Sequence, residues 1–166
     1  MKQKYLLTLL ALFIGMMISC KGEKRPEGLP ELYPFKVKIL SEGKPLEGAG
    51  VALKSDDKSL QRWPCGAKTN AEGIANCFTY GFEGAPAGSF KVVVNKSAHE
   101  GSAQAQGPVD LSASSEGKKA FHTIDPKYRD AASTPFTVEV VAGKNETIPE
   151  FDVGSEIHEE VKPMGN

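Results

Sequence analysis

The sequence has few of the residues on which metal centres and disulfide frameworks depend, with 3 cysteines and 3 histidines among its 166 residues. These counts exclude a small disulfide-rich scaffold and a protein with several metal ions. The chain also has no excess of basic residues, because 20 Lys and Arg face 21 Asp and Glu, for a formal net charge of -1. Without a basic surface it cannot neutralise a run of phosphates, so nucleic acid is excluded as a partner.

Long hydrophobic runs are also missing. The apolar stretch at residues 5–18 covers 14 residues, whereas a membrane-spanning helix needs about 20. Lys2 and Lys4 precede it, and a short basic start followed by a short apolar stretch is typical of a secretory signal. The sequence Met-Ile-Ser-Cys at residues 17–20 resembles a bacterial lipobox. This resemblance implies a lipoprotein signal peptide at residues 1–19, cut before Cys20. The alternative is an uncleaved membrane helix with an incidental cysteine.

By the same resemblance, Cys20 carries fatty acyl chains such as palmitate, which hold the protein on a lipid bilayer in the cell envelope. Lys21, rather than an aspartate, follows the cysteine. The Gram-negative sorting rule then implies the outer rather than the inner membrane, with the protein part periplasmic or surface-exposed. Residues 20–33 are polar and interrupted by Pro and Gly, which predicts a flexible tether. Residues 154–166 are predicted to be a flexible tail.

Short β-rich runs separated by turn residues predict an all-β domain over residues 34–153. The 17 Gly and 11 Pro of the chain argue against a helical bundle. Seven strands are predicted, at residues 35–40, 48–53, 63–69, 74–80, 89–95, 136–141 and 147–153. Seven short strands in a chain of this size predict two sheets packed face to face.

The end of this domain carries further signals. Pro149 predicts that the last strand lies at a sheet edge or bulges there, and residues 142–145 predict a hairpin turn between the last two strands. Residues 96–134 are longer than a loop without structure of its own usually is. They predict an irregular surface excursion between the fifth and sixth strands, with a short helical turn near residues 126–129.

Cys65 and Cys77 are predicted to form a disulfide, provided that the domain lies outside the cytoplasm. A hairpin turn at residues 70–73, with Gly73 at a positive φ, places Cys65 opposite Cys77 on one face. The alternatives are two separate buried thiols or a thiol pair used in redox chemistry. The spacing differs from the C-x-x-C pattern of redox motifs, which favours a structural bridge.

The order of these motifs resembles transthyretin-like (prealbumin-like) domains, including carboxypeptidase regulatory-like modules. The similar segments are residues 43–51 (GKPLEGAGV), 69–74 (TNAEGI) and 86–94 (PAGSFKVVV). Residues 124–130 (IDPKYRD), followed by 135–140 (PFTVEV), resemble a later segment of planctomycete-type lipoproteins. The resemblance implies a seven-stranded Greek-key β-sandwich. It does not imply one function, because this fold hosts many unrelated activities.

The sequence contains no recognisable motif for catalysis or for a cofactor. It has no G-x-S-x-G nucleophile pattern and no zinc-peptidase histidine spacing. We therefore expect a non-catalytic structural or binding module, with a protein or carbohydrate partner. The alternative is a metal-dependent or hydrolytic accessory protein with a site in residues 96–134, using His99, His122 and Asp125. Trp63 is either a platform for a sugar or a ring packed against the disulfide.

Overall fold

The computed structural model describes residues 24–99 and 119–161, and most regular structure there is β strand. The first part contains β1 Leu32–Tyr33, β2 Lys36–Ser41, β3 Lys44–Pro45, β4 Gly50–Lys54, α1 Lys58–Gln61, β5 Cys65–Lys68, β6 Ile74–Asn76, β7 Phe78–Thr79, β8 Phe82–Glu83, β9 Ala85–Pro86, β10 Gly88–Asn95 and β11 Ser97–His99. The second contains β12 Ala120–His122, α2 Pro126–Arg129, β13 Thr137–Val140, β14 Glu150–Asp152 and β15 Glu159–Glu160. The prediction of an all-β fold is confirmed, and every predicted strand overlaps at least one observed strand.

The larger sheet has six strands in the order β13-β10-β4-β5-β7-β8, and all neighbours in it are antiparallel. At its centre, β4 pairs with β10, so that Val51 lies opposite Val94 and Leu53 opposite Val92. All four side chains are buried. β-Branched residues pack well on a half-buried pleated surface, which explains why the valine-rich segment of β10 forms a central strand.

The second sheet is organised around β2, which pairs antiparallel with β3 and β6 and parallel with β14. Val37 and Ile39 of β2 are fully buried, whereas Lys36 is exposed. This alternation is that of a strand with one face on the core. Because β14 lies at the edge of this sheet, the expectation raised by Pro149 is confirmed.

The buried faces of the two sheets form one hydrophobic core. It joins β2 to β4, β10 and β13, and it extends to Ile124, Tyr128 and Val153. Tyr128 stacks on Phe136 with ring centroids 4.8 Å apart, and Phe136 in turn contacts Phe151. Each fully buried aliphatic or aromatic side chain contributes about 1.5–3 kcal/mol of burial free energy, so this shared core holds the two sheets together.

The predicted turn at residues 70–73 is present. The Gly73 amide donates to the Asn70 carbonyl at 2.9 Å, and the Asn70 side chain accepts from the amides of Glu72 and Ile74. Gly73 has a φ of 74°, as predicted. Asparagine favours such turns because its side-chain oxygen can replace a backbone acceptor.

The strands that flank this turn do not form the predicted hairpin. After the turn, β6 pairs with β2 of the second sheet, and only β7 pairs with β5. The chain therefore crosses between the sheets at Cys77, whose amide donates to the Phe35 carbonyl. As a result, Cys65 lies opposite Thr79 rather than opposite Cys77. The hairpin predicted at residues 142–145 is also wrong, since β13 and β14 belong to different sheets.

Parts of the predicted excursion and tail have regular structure. β11 and β12 pair with each other, and β12 also pairs with β15 near the C-terminal end. The predicted helical turn is confirmed as α2, in which Tyr128 is buried. The segment from Gly154 to Val161 is expected to be part of a flexible tail. It is instead attached through β15 to β12, which lies in the predicted excursion.

Candidate functional site

Cys20, the predicted lipidation site, lies outside the described residues. Within residues 24–99 and 119–161, neither helix is long or apolar enough to cross a membrane. The described chain begins in the predicted tether, where Leu32 and Tyr33 pair with β9. The last residues before the domain are therefore attached to it as a short strand.

Cys65 and Cys77 are neighbours although they are not cross-strand partners. Both are free thiols in this structure, and they are only 4% and 1% exposed. A hydrogen bond from the Cys77 thiol lowers the pKa of Cys65, while the same bond and burial raise the pKa of Cys77. The disulfide between them stays a prediction.

Two residues of the ligand set predicted for a metal, His122 and Asp125, have other surroundings in the described part of the excursion. The Asp125 carboxylate is the N-cap of α2, where it accepts from the Lys127 amide at 2.9 Å. His122 lies in β12, opposite Glu159, and its Nδ1 is buried without a hydrogen-bond partner. In the described part of the chain, no three His, Cys, Asp or Glu side chains are grouped so that they could hold a metal ion.

Trp63 does not form an exposed platform. Its side chain is buried, the Arg62 guanidinium lies over its ring at 4.9 Å, and Tyr80 packs edge-on against it at 5.8 Å. Cation–π and edge-to-face contacts of this kind fix an aromatic ring in place. A groove of about 480 Å³ runs past Trp63 towards Arg129, but the Arg129 side chain is already paired with Glu159.

A second groove, of about 580 Å³, lies between β13 and the segment that leads to β14. Phe35 and Val138, both nearly buried, line it from the core, and Thr147 and Pro149 line the opposite side. Val141, beside it, is 48% exposed. A groove that is open to solvent and combines apolar with polar side chains is a typical binding feature.

The groove follows an open strand edge. In an antiparallel ladder, alternate residues bond to the partner strand and the others point away from it. The Val92 amide donates to the Phe136 carbonyl, so Phe136 and every second residue after it, Val138 and Val140, bond to β10. Val138 lies opposite Phe90, and Val140 lies opposite Gly88. The backbone groups of Thr137 and Glu139 therefore point out of the sheet. They have no hydrogen-bond partner among residues 24–99 and 119–161.

Asn145 closes one end of this edge. Its side-chain oxygen accepts from the Val141 amide at 3.1 Å, and its side-chain nitrogen donates to the Val141 carbonyl at 3.2 Å. The amide of Asn145 thus takes the place of a neighbouring strand at Val141. Of the charged groups that line the groove, Lys144 and Glu146 pair with each other at 2.7 Å. Glu139 has no ion-pair partner in the described chain.

This groove was not predicted from the sequence. The alternation in residues 136–141 marks β13 as a half-buried strand, but only the sheet order shows that it ends a sheet.

Comparisons of the chain with protein-family models, curated proteins and solved structures find no match.

Proposed function

We propose that this protein is a membrane-anchored extracytoplasmic lipoprotein whose β domain binds a partner without catalysing a reaction. One observation carries the anchor, namely Met-Ile-Ser-Cys at residues 17–20 after a short basic and apolar leader. Acyl chains on Cys20 would hold the domain at the outer membrane, because each buried CH₂ contributes about 0.8 kcal/mol and two chains suffice for stable anchoring.

We further propose that the β domain is a transthyretin-like, seven-stranded Greek-key sandwich. The support is that β2, β4, β5, β6 with β7, β10, β13 and β14 give seven main strand segments, whose buried side chains meet in one core. The motif at residues 43–51 agrees with this assignment, because it begins in the β2–β3 turn, includes β3 and enters β4. The fold itself would be compatible with many functions.

The groove along β13 supports binding as the role of the domain. It combines an apolar lining from Phe35 and Val138 with unpaired backbone groups at Thr137 and Glu139. These are the elements from which proteins build recognition surfaces, since apolar contact gives affinity and oriented polar groups give specificity.

Acylation at Cys20 is tested by labelling cells with radioactive palmitate. The full-length protein should be labelled, and globomycin should cause a larger precursor to accumulate. Cys20→Ala should abolish the label, whereas Ser19→Ala, which keeps a small residue at the predicted cleavage site, should retain it. An unlabelled wild-type protein, or equal labelling of Cys20→Ala, would contradict the anchor.

The binding role is tested separately with the purified full-length chain. Pull-down from envelope extract and a glycan array should identify a partner, which should be recovered unchanged. Turnover of any arrayed substrate would contradict the non-catalytic assignment.

A further inference from the structure

The open edge of β13 has the geometry of a strand-addition site. Thr137 and Glu139 together present two amides and two carbonyls away from β10. Such a row of unpaired backbone groups is a template for another strand, and proteins often cover or charge it to prevent this. Here the groove, whose lining includes Phe35 and Val138, lies directly beside it, so an added strand would find contacts for its side chains as well as for its backbone.

We propose that a segment of a partner protein binds here in extended conformation, antiparallel to β13, and becomes the next strand of the larger sheet. This inference rests on the proposed binding function and specifies its site and partner chemistry. Antiparallel addition is favoured because its hydrogen bonds are better aligned than those of a parallel pair. The Asn145 side chain already occupies the backbone groups of Val141, so the added strand pairs at Thr137 and Glu139 and ends there.

The register defines which side chains the partner needs. The partner residue opposite Val138 points to the same side of the sheet as Val138, towards the groove lined by Phe35 and Pro149, and should be apolar. The residue opposite Glu139 points to the outer side. It should be basic, because opposite charges on directly opposed residues stabilise a strand pair and Glu139 has no ionic partner within residues 24–99 and 119–161. The recognised sequence is therefore basic–apolar–polar, read from the N-terminus.

A second copy of this chain is a poorer occupant. Two β13 strands paired about Val138 would place Glu139 opposite Thr137 of the other copy and so leave its charge unpaired, and two strands paired about Glu139 would place Glu139 directly opposite its own copy. Like charges in that position destabilise a strand pair. Asn145 would also block the third residue pair of that register, because Val141 is already bonded. The charge and the cap together favour a different, basic segment.

The test uses two heptapeptides, Thr-Thr-Lys-Val-Thr-Thr-Thr and Thr-Thr-Glu-Val-Thr-Thr-Thr. They differ only at the third position, directly before the central valine. They are titrated into the isotope-labelled full-length chain carrying Cys20→Ala, and amide shifts are recorded by NMR. We expect the lysine peptide to shift the amides of Thr137 and Glu139 and to bind about fivefold to tenfold more tightly than the glutamate peptide.

Two variants separate recognition from folding. Glu139→Lys should reverse the peptide preference. Glu139→Pro removes an outward amide that the sheet does not use, which an edge strand tolerates, and it should abolish binding of both peptides while the other amides keep their positions.

No shift at Thr137 and Glu139, equal affinity for both peptides, or an unchanged preference in Glu139→Lys would overturn the inference. So would concentration-dependent shifts of these amides without peptide, which would indicate a second copy at the edge. A failed titration together with a partner captured in the pull-down would refute this site alone and leave the binding function standing.

Discussion

Asp152 shows how one exposed side chain can join distant parts of the chain. Its carboxylate accepts from the amides of Gly43 and Gly154, both at 2.7 Å, and of Glu42 at 3.1 Å. These bonds fix the β2–β3 turn to the end of β14. Hydrogen bonds from the Gly154, Gly43 and Glu42 amides lower the pKa of Asp152 despite some desolvation, because they stabilise the charged form.

The stabilising effect of Asp152 should depend on pH. A group whose pKa is lower in the folded chain stabilises it above the unfolded pKa, about 3.9 for aspartate, and loses this effect as the pH falls through the folded pKa. Asp152→Asn should therefore lower the free energy of unfolding by about 1 kcal/mol at pH 7, after allowance for solvent screening.

Urea unfolding of both proteins between pH 7 and pH 2.5 measures this. The difference between them should shrink below about pH 3.9. Glu146→Gln, which removes only the exposed pair with Lys144, should have little effect at either pH. A constant difference across this range would refute the role of the carboxylate charge.

At the scale of single elements, the turn at residues 70–73 is held by close packing as well as by its own hydrogen bonds. A Cβ on Gly73 would lie 2.5 Å from the Ile39 carbonyl oxygen and 3.1 Å from the Leu46 nitrogen. The Ile39 amide also donates to the Gly73 carbonyl. The turn therefore positions β6 on β2, and with it the crossing of the chain between the sheets.

Gly73→Ala and Gly43→Ala form a matched pair that isolates this contact. The φ angles of Gly73 and Gly43 are 74° and 75°, so the backbone strain is the same at both positions. A Cβ on Gly43, however, would meet nothing within 4 Å. Gly43→Ala should cost only backbone strain, about 1–2 kcal/mol, whereas Gly73→Ala should cost about 1–3 kcal/mol more through overpacking. Thermal unfolding by calorimetry measures both, and equal losses of stability would show that the close approach is unimportant.

The sequence predicts elements better than it predicts their pairing. The alternation in residues 35–40 and the Asn70 and Gly73 turn are local signals, and the structure confirms them. By contrast, the sequence predicts residues 74–80 as one strand of a hairpin, because nothing within them marks Cys77 as the crossing point. That crossing depends on the Phe35 carbonyl and on β2, which are distant in sequence.

At the scale of the whole molecule, the candidate groove could not be predicted because it exists only once the sheets have formed. Phe35 comes from the segment before β2, Val138 from β13 and Pro149 from the approach to β14. Each reads as an ordinary core or turn residue in its own segment. Their meeting depends on β14 leaving β13 and joining β2 in parallel, which the local turn signal at residues 142–145 does not reveal.

At the scale of the whole molecule, a disulfide between Cys65 and Cys77 is expected in an oxidising compartment. In an oxidising compartment, one of the two thiolates can attack the disulfide of oxidised glutathione before the core closes over it, and release one reduced glutathione. The other thiolate then attacks the mixed disulfide, which releases the second glutathione and leaves the protein disulfide.

The oxidised chain should unfold with a free energy about 3 kcal/mol higher than the reduced chain, as expected for closure of so short a loop. The measurement is guanidinium unfolding of full-length Cys20→Ala, in which these two thiols are the only ones, with alkylation and mass spectrometry to count free thiols. Both thiols remaining alkylatable in the unfolded chain after oxidation, or equal stability of the two forms, would rule out a structural disulfide.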